Sequence, residues 1–154
     1  MVRPPRCLVI GILNVTPDSF SDGGLWSDPE SAIAHGFAMV ADGADLVDVG
    51  GESTRPGAER PPLQQELARV LPVVSALAAD GVRVSIDTMR AEVAEAAVEA
   101  GATVINDVSG GLADPRILAV AAAAEVTYVA MHWRAHSDRM QSLAQYDDVV
   151  AELW

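Results

Sequence analysis

Ile10-Gly11-Ile12-Leu13-Asn14-Val15-Thr16-Pro17-Asp18-Ser19-Phe20-Ser21-Asp22-Gly23-Gly24 passes from an apolar strand straight into a polar, glycine-ended loop. Leu8, Val9, Ile10, Ile12 and Leu13 form a nearly continuous apolar run, the pattern of a strand buried on both faces rather than one with a wet side. Asn14 then falls at the strand's carboxyl end, where parallel sheets place their ligands. Taken alone, an asparagine that merely caps the turn before Pro17 is an equal reading. What separates the two is whether the pattern recurs.

Outward from this stretch it does recur. Asp28-Pro29-Glu30 offers an N-cap, a proline at the first helical position and an early acid, predicting a helix through Met39 to about Asp42, where Gly43 stops it. Leu46 to Val49 is a second strand, and Gly50 to Gly57 a second long loop. A helix from about Pro62 to Ala79 follows, with Leu63, Leu67, Val70, Leu71 and Val74 on one face and a kink expected at Pro72. Gly81 ends it, and Val82 to Ile86 is the third strand. Ala91 to Ala100 is a short helix stopped by Gly101, and Thr103 to Ile105 the fourth strand. After Gly110-Gly111, a helix from Asp114 to about Ala123 leads to a fifth strand, Val126 to Met131. Residues from Asp147 through Trp154 read as a helix beginning.

Strands alternating with helices across short turns predict parallel βαβ units with right-handed crossovers. No repeat or linker divides the chain, so 1–154 is expected to be a single domain. Each strand ends in a polar cluster: Asn14, Asp48 with its loop, Asp87-Thr88, Asn106-Asp107, and His132. For Thr88, Asp107 and Ser109 a plain turn or cap role is favoured. Five clusters in succession nevertheless describe the active face of a (β/α) barrel. Such a barrel has eight strands and about 250 residues, whereas five strands are counted here. The expected fold is therefore α/β, an incomplete TIM-type barrel of about the first five strands with its first and fifth strands as exposed edges. An open five-stranded sheet is the alternative.

Half of the 154 residues are hydrophobic, enough for a sizeable core. A net charge of −12 argues against general binding to nucleic acid or membrane surfaces, so any bound anion must be met by local donors. Cys7 is the only cysteine, and no Cys/His spacing suggests zinc. With no secretory h-region after Met1 and no apolar run of transmembrane length, a cytoplasmic location is expected.

The runs 11–24 and Asp48-Val49-Gly50-Gly51-Glu52-Ser53-Thr54-Arg55-Pro56-Gly57-Ala58 closely resemble the two signature segments of the dihydropteroate synthase family. Ser85-Ile86-Asp87-Thr88, residues 105–111 and Met131-His132-Trp133-Arg134 match it too, ungapped and in order. The resemblance covers essentially the whole chain and about the first five-eighths of the family's barrel.

That resemblance implies a transferase of folate biosynthesis. It joins 4-aminobenzoate to a 6-hydroxymethyl-7,8-dihydropterin diphosphate and expels pyrophosphate. Asn14 matches the family's metal-contacting asparagine, with Mg2+ as the implied cofactor; magnesium keeps most of its waters and can be held by one amide oxygen plus phosphate oxygens. Thr54 and Arg55 match the diphosphate loop, where a planar guanidinium grips an oxygen pair through two parallel bonds. Asp87 is a carboxylate matched to the ring's adjacent amino and N–H donors, and Asn106 serves its other polar atoms. Met131 matches an apolar pocket wall, although core packing is an equal role for a methionine. Asp18, Ser19, Phe20, Ser21 and Asp22 match a mobile loop that closes over the second substrate. Asp48, Glu52 and His132 have no settled role. The resemblance further implies a homodimeric parent enzyme and sulfonamides as inhibitors.

Lysine is absent from the chain, and the family's later pterin-contacting lysine, Ser-Arg-Lys and Arg-Val-His segments have no counterpart. Little or no synthase activity is therefore expected of these residues by themselves. A non-catalytic pterin-binding module and a methyltetrahydrofolate-dependent methyltransferase are the competing readings. The diphosphate loop and Asn14 speak against the latter, because a methyl donor carries no diphosphate.

Overall fold

The computed structural model describes residues 6–16 and 29–153. Five strands, β1 (Ile10–Asn14), β2 (Leu46–Gly50), β3 (Val84–Asp87), β4 (Val104–Asp107) and β5 (Thr127–Ala130), form one sheet in the order β1-β2-β3-β4-β5, with every neighbouring pair parallel. Between them run α1 (Pro29–Ala41), α2 (Leu63–Ala79), α3 (Ala91–Glu99) and α4 (Arg116–Ala124). A short 3-10 turn (Met140–Leu143) and α5 (Val149–Leu153) follow β5.

Two observations separate this sheet from a doubly wound one. Strand order equals chain order, with no point where it reverses, and α1 packs on α2, α2 on α3, and α3 on α4. All four helices therefore line the same face, which is how a (β/α) barrel is wound; a doubly wound fold reverses its order and covers both faces. The chain forms five strands of such a barrel.

The strand period of two then sorts the side chains. Leu13, Val49, Ile86 and Ile105 form one row toward the helices, where they join Val70, Val74 and Leu77 of α2, Val93 and Ala97 of α3, and Ile117 of α4 in one core. The alternate residues face the other way. α1, α2 and α3 are each followed by a glycine in the left-handed region, Gly43, Gly81 and Gly101, as their spacing predicts. α4 is followed instead by Glu125 at φ 54°.

The structure corrects several sequence expectations. The apolar run of the first strand is not buried on both faces: Leu8, Val9, Ile10 and Ile12 are 53–65% exposed, and only Leu13 is sealed. β1 is a terminal strand of the sheet, and an apolar composition does not distinguish a covered face from a bare one. β3 and β4 reach further than expected, through Asp87 and Asp107, because both acids stay in ladder register with the neighbouring strand. Helix α2 continues through Pro72 as one element. No helix among the described residues is long and apolar enough to cross a membrane.

Candidate active site at the strand tips

Parallel register decides which side chains meet. Asn14 stands beside Gly50, Gly50 beside Asp87, and Asp87 beside Asn106. One row therefore crosses the carboxyl ends of four strands, on the face turned away from the helices. Gly50 puts nothing between its neighbours: a Cβ there would lie 3.4 Å from Asn14 Oδ1 and 3.4 Å from Asp87 Oδ2. The two oxygens thus lie within twice that distance of each other, flanking an open seat.

Asp48 forms the floor. It is 7% exposed, its Oδ2 accepts a hydrogen bond from Asn106 Nδ2 at 2.9 Å, and its Oδ1 has no partner. That bond fixes the Asn106 amide plane while leaving its Oδ1 and second N–H for a ligand. Burial, and then the negative charges of Asp48, Glu52, Glu66 and Asp107, push the Asp87 carboxyl up to about 7. A carboxylate in such company gains from any ligand that brings it donors.

Beside this row, Asn14, Thr16, Ser53, Thr54 and Arg55 line a polar pocket of about 120 Å³. Thr54 also borders a second pocket of about 180 Å³, whose walls include Met89, Met131, His132, Trp133 and Met140. Thr54 thus borders both pockets, one with a polar lining and one mostly apolar. Met131, expected as an apolar wall, borders this pocket and is half exposed. The Gly57 N–H donates to the Ser137 carbonyl at 2.9 Å, tying the loop after β2 to the loop after β5.

Other predicted residues fall outside this cluster. Glu52 is nearly buried and accepts from Arg60 Nε at 3.0 Å; together with Arg60 and His136 it lines a separate hollow of about 250 Å³. His132 lies against the Tyr146 ring as well as in the apolar pocket. Asp107 is fully buried and braces its own loop: it accepts from the Ser109 N–H and hydroxyl, the Gly111 N–H and the Tyr128 hydroxyl, all between 2.7 and 2.8 Å. Ser109 shares that structural role. Asp18, Ser19, Phe20, Ser21 and Asp22 lie outside the described residues.

Among the described residues no three His, Cys, Asp or Glu side chains converge on a metal position. Asn14 alone presents an exposed amide oxygen at the mouth of the polar pocket. That donor set fits a hydrated hard cation shared with phosphate oxygens rather than a closed protein cage.

Sequence reasoning missed Glu66, which is fully buried in the first turn of α2. The signal was present: residues 66, 70, 73, 74 and 77 fall on one helical stripe, and Glu66 is its single polar member.

The pterin binding enzyme family matches residues 10–154. A dihydropteroate synthase of Mycobacterium leprae is 58% identical over 146 residues, covering 94% of this chain and 51% of that protein. One from Synechocystis is 48% identical over 149 residues, covering 96% and 52%. The chain thus spans about half the length of these curated relatives. Among solved structures, dihydropteroate synthase from Yersinia pestis with a sulfonamide drug superposes with a TM-score of 0.88 at 44% identity, covering 96% of this chain and 54% of that one. The Xanthomonas albilineans enzyme with 4-aminobenzoic acid gives 0.83 at 49% identity, covering 96% and 52%. With its strand order, its one-sided helices and a family match running from the first residue of β1 onward, this chain belongs to the pterin binding enzyme family.

Proposed function

We propose that residues 1–154 are the N-terminal portion of an eight-stranded dihydropteroate synthase barrel and hold its pterin and diphosphate sites. The reaction is condensation of 6-hydroxymethyl-7,8-dihydropterin diphosphate with 4-aminobenzoate to 7,8-dihydropteroate, in the cytoplasm and in a homodimeric whole protein. The observation that carries this reading is the row Asn14, Gly50, Asp87, Asn106 running into the Thr54–Arg55 pocket. Relatives named for this activity support it, as does a solved relative that holds 4-aminobenzoic acid.

In this reading Asp87 accepts the paired amino and ring N–H donors of the pterin. Asn106, oriented by Asp48, meets the remaining ring atoms, and Met131 covers a ring face. The diphosphate tail extends over Gly50 toward Thr54 and Arg55. The arylamine nitrogen attacks the methylene carbon as the carbon–oxygen bond breaks, the electron pair leaves on pyrophosphate, and the amine sheds its proton. Thr54 and Arg55 meet the charge that develops on the departing oxygens. A magnesium ion at Asn14 would neutralise part of the same charge.

Calorimetric titration of the chain with the pterin diphosphate tests this directly. Binding is expected, with affinity lost at least tenfold in Asp87→Ala. Unchanged binding in that variant would remove Asp87 from the site. Binding of pterin with no response to pyrophosphate would favour a methyltransferase-type barrel.

A further inference from the structure

Glu66 has no exposed surface, and its side chain lies among three segments that build the site. Its Oε1 accepts the Thr88 hydroxyl at 2.6 Å, one residue beyond Asp87. Its Oε2 faces Arg90 Nη1 at 3.4 Å. Arg90 in turn donates through Nη2 to the Pro61 carbonyl at 2.6 Å, and its backbone N–H donates to Thr88 Oγ1 at 3.2 Å. On the other side, Gly51 rides so close over α2 that a Cβ would meet Val70 Cγ1 at 2.7 Å and Glu66 Cγ at 3.1 Å. The carboxylate therefore engages the tip of β3 directly and Pro61 only through Arg90, while the aliphatic stem of Glu66 packs under Gly51 at the other end of the loop that carries Thr54 and Arg55.

Stability does not account for an acid here. A carboxylate in the interior is costly even when paired, and an apolar side chain of similar size on the stripe of Val70, Val73 and Leu77 would fill the space at lower cost. What the acid supplies is direction. One oxygen orients the Thr88 hydroxyl, while the other lies within ion-pair range of a guanidinium, with no hydrogen bond between them, whose far end donates to the loop.

We propose that Glu66 is a positioning residue: through Thr88 and Arg90 it locks the β3 tip to loop 51–61, so that the ring-binding carboxylate and the diphosphate-binding loop form one rigid receptor. The ligand in this inference rests on the pterin-diphosphate reading; the mechanical link does not.

A rigid link has a signature that a merely structural residue lacks. Two subsites held at the right separation bind a joined ligand far more tightly than its parts, whereas loosened subsites lose that advantage and keep the parts. The experiment titrates the full chain, Glu66→Leu, Thr88→Val and Thr88→Ser with three ligands: the dihydropterin diphosphate, the dihydropterin alcohol, and pyrophosphate. In Glu66→Leu and Thr88→Val the joined ligand is expected to weaken at least tenfold while each part stays within about threefold, and Thr88→Ser restores the joined affinity. Thr88→Val carries the test if Glu66→Leu fails to fold. Equal weakening of all three ligands, or an unchanged joined affinity, overturns the proposal. If the unaltered chain binds none of them, the functional reading falls and the link is read from amide exchange. The Ala58 N–H, bonded to the Arg55 carbonyl within the loop, and the Gly57 N–H, bonded to the Ser137 carbonyl, should then exchange at least tenfold faster in the variants while the α2 amides hold steady. Unchanged loop exchange overturns the link.

Discussion

Asp87 brings two demands into conflict at a single carboxyl. In the folded chain its pKa is about 7, against an ordinary 3.8, so between those values the fold retains a proton that the unfolded chain has released. The stability this provides is complete below pH 4 and is lost as pH rises through 7, by about 4 kcal/mol in total. Asp87→Asn should remove that slope, which urea unfolding at pH 5 and pH 8.5 would measure. At pH 8.5 the variant should be the more stable protein, by about 1–3 kcal/mol. Its pterin affinity should nevertheless fall, by about 1.5–3 kcal/mol for one charge-assisted bond. If Asp87 accepts from the pterin edge as proposed, only its ionised form does so, and affinity in the unaltered chain should rise about tenfold per unit as pH approaches 7 from below and level off above it. Titration calorimetry from pH 5.5 to 8.5, with proton release read from buffer-dependent heats, checks this.

At the scale of elements, backbone shape sets the prediction. α4 closes on Glu125 at φ 54° where the three earlier helices use glycine, and a side chain in that region costs about 1–2 kcal/mol. Glu125→Gly should therefore raise stability by up to about 1 kcal/mol after the added freedom of the unfolded chain is counted. Gly51→Ala should do the reverse, losing about 1–3 kcal/mol as the new methyl group presses on Val70. Thermal and urea unfolding report both. Elements were also the most legible level of the sequence. The glycine stops and the order of strands and helices survive in the structure, and Val70 and Val74 of the expected α2 face are buried while Leu63, Leu67 and Leu71 are only partly so. Strand ends were less legible: Asp87 and Asp107 belong to their strands only because a partner strand holds them in register. The facing tips of Asn14, Asp87 and Asn106 were inferred from alternation and resemblance, and the coordinates bring them into one row. Glu66 was overlooked because an acid in a first helical turn reads as a partner for the helix dipole. β1 is the terminal strand expected of it, but the burial of its faces was misjudged, because burial depends on what covers a face, which no local pattern records.

For the whole molecule, the balance of charge frames what a ligand does. A chain of net charge −12 repels anions at long range, so stabilisation by pyrophosphate requires short-range donors such as Thr54 and Arg55. Saturating pyrophosphate with magnesium, at about 100 times its Kd, should add about 2.7 kcal/mol and raise the Tm by several degrees. Arg55→Ala should abolish that shift, measured against the variant's own unliganded Tm. Turnover is a separate matter. With no lysine anywhere in the chain, and with donors each contributing about 2.7–4 kcal/mol where such charges stabilise a leaving group, steady-state pyrophosphate release is expected to be at or near background. Robust release would show that the residues present suffice.

Strand order that copies chain order has a kinetic corollary. Each strand pairs with the one synthesised just before it, so a βα unit can dock onto the growing sheet as soon as it leaves the ribosome, without waiting for a distant segment. Assembly from the amino terminus should then be vectorial: nascent chains halted after β3 would already protect the amides of β2.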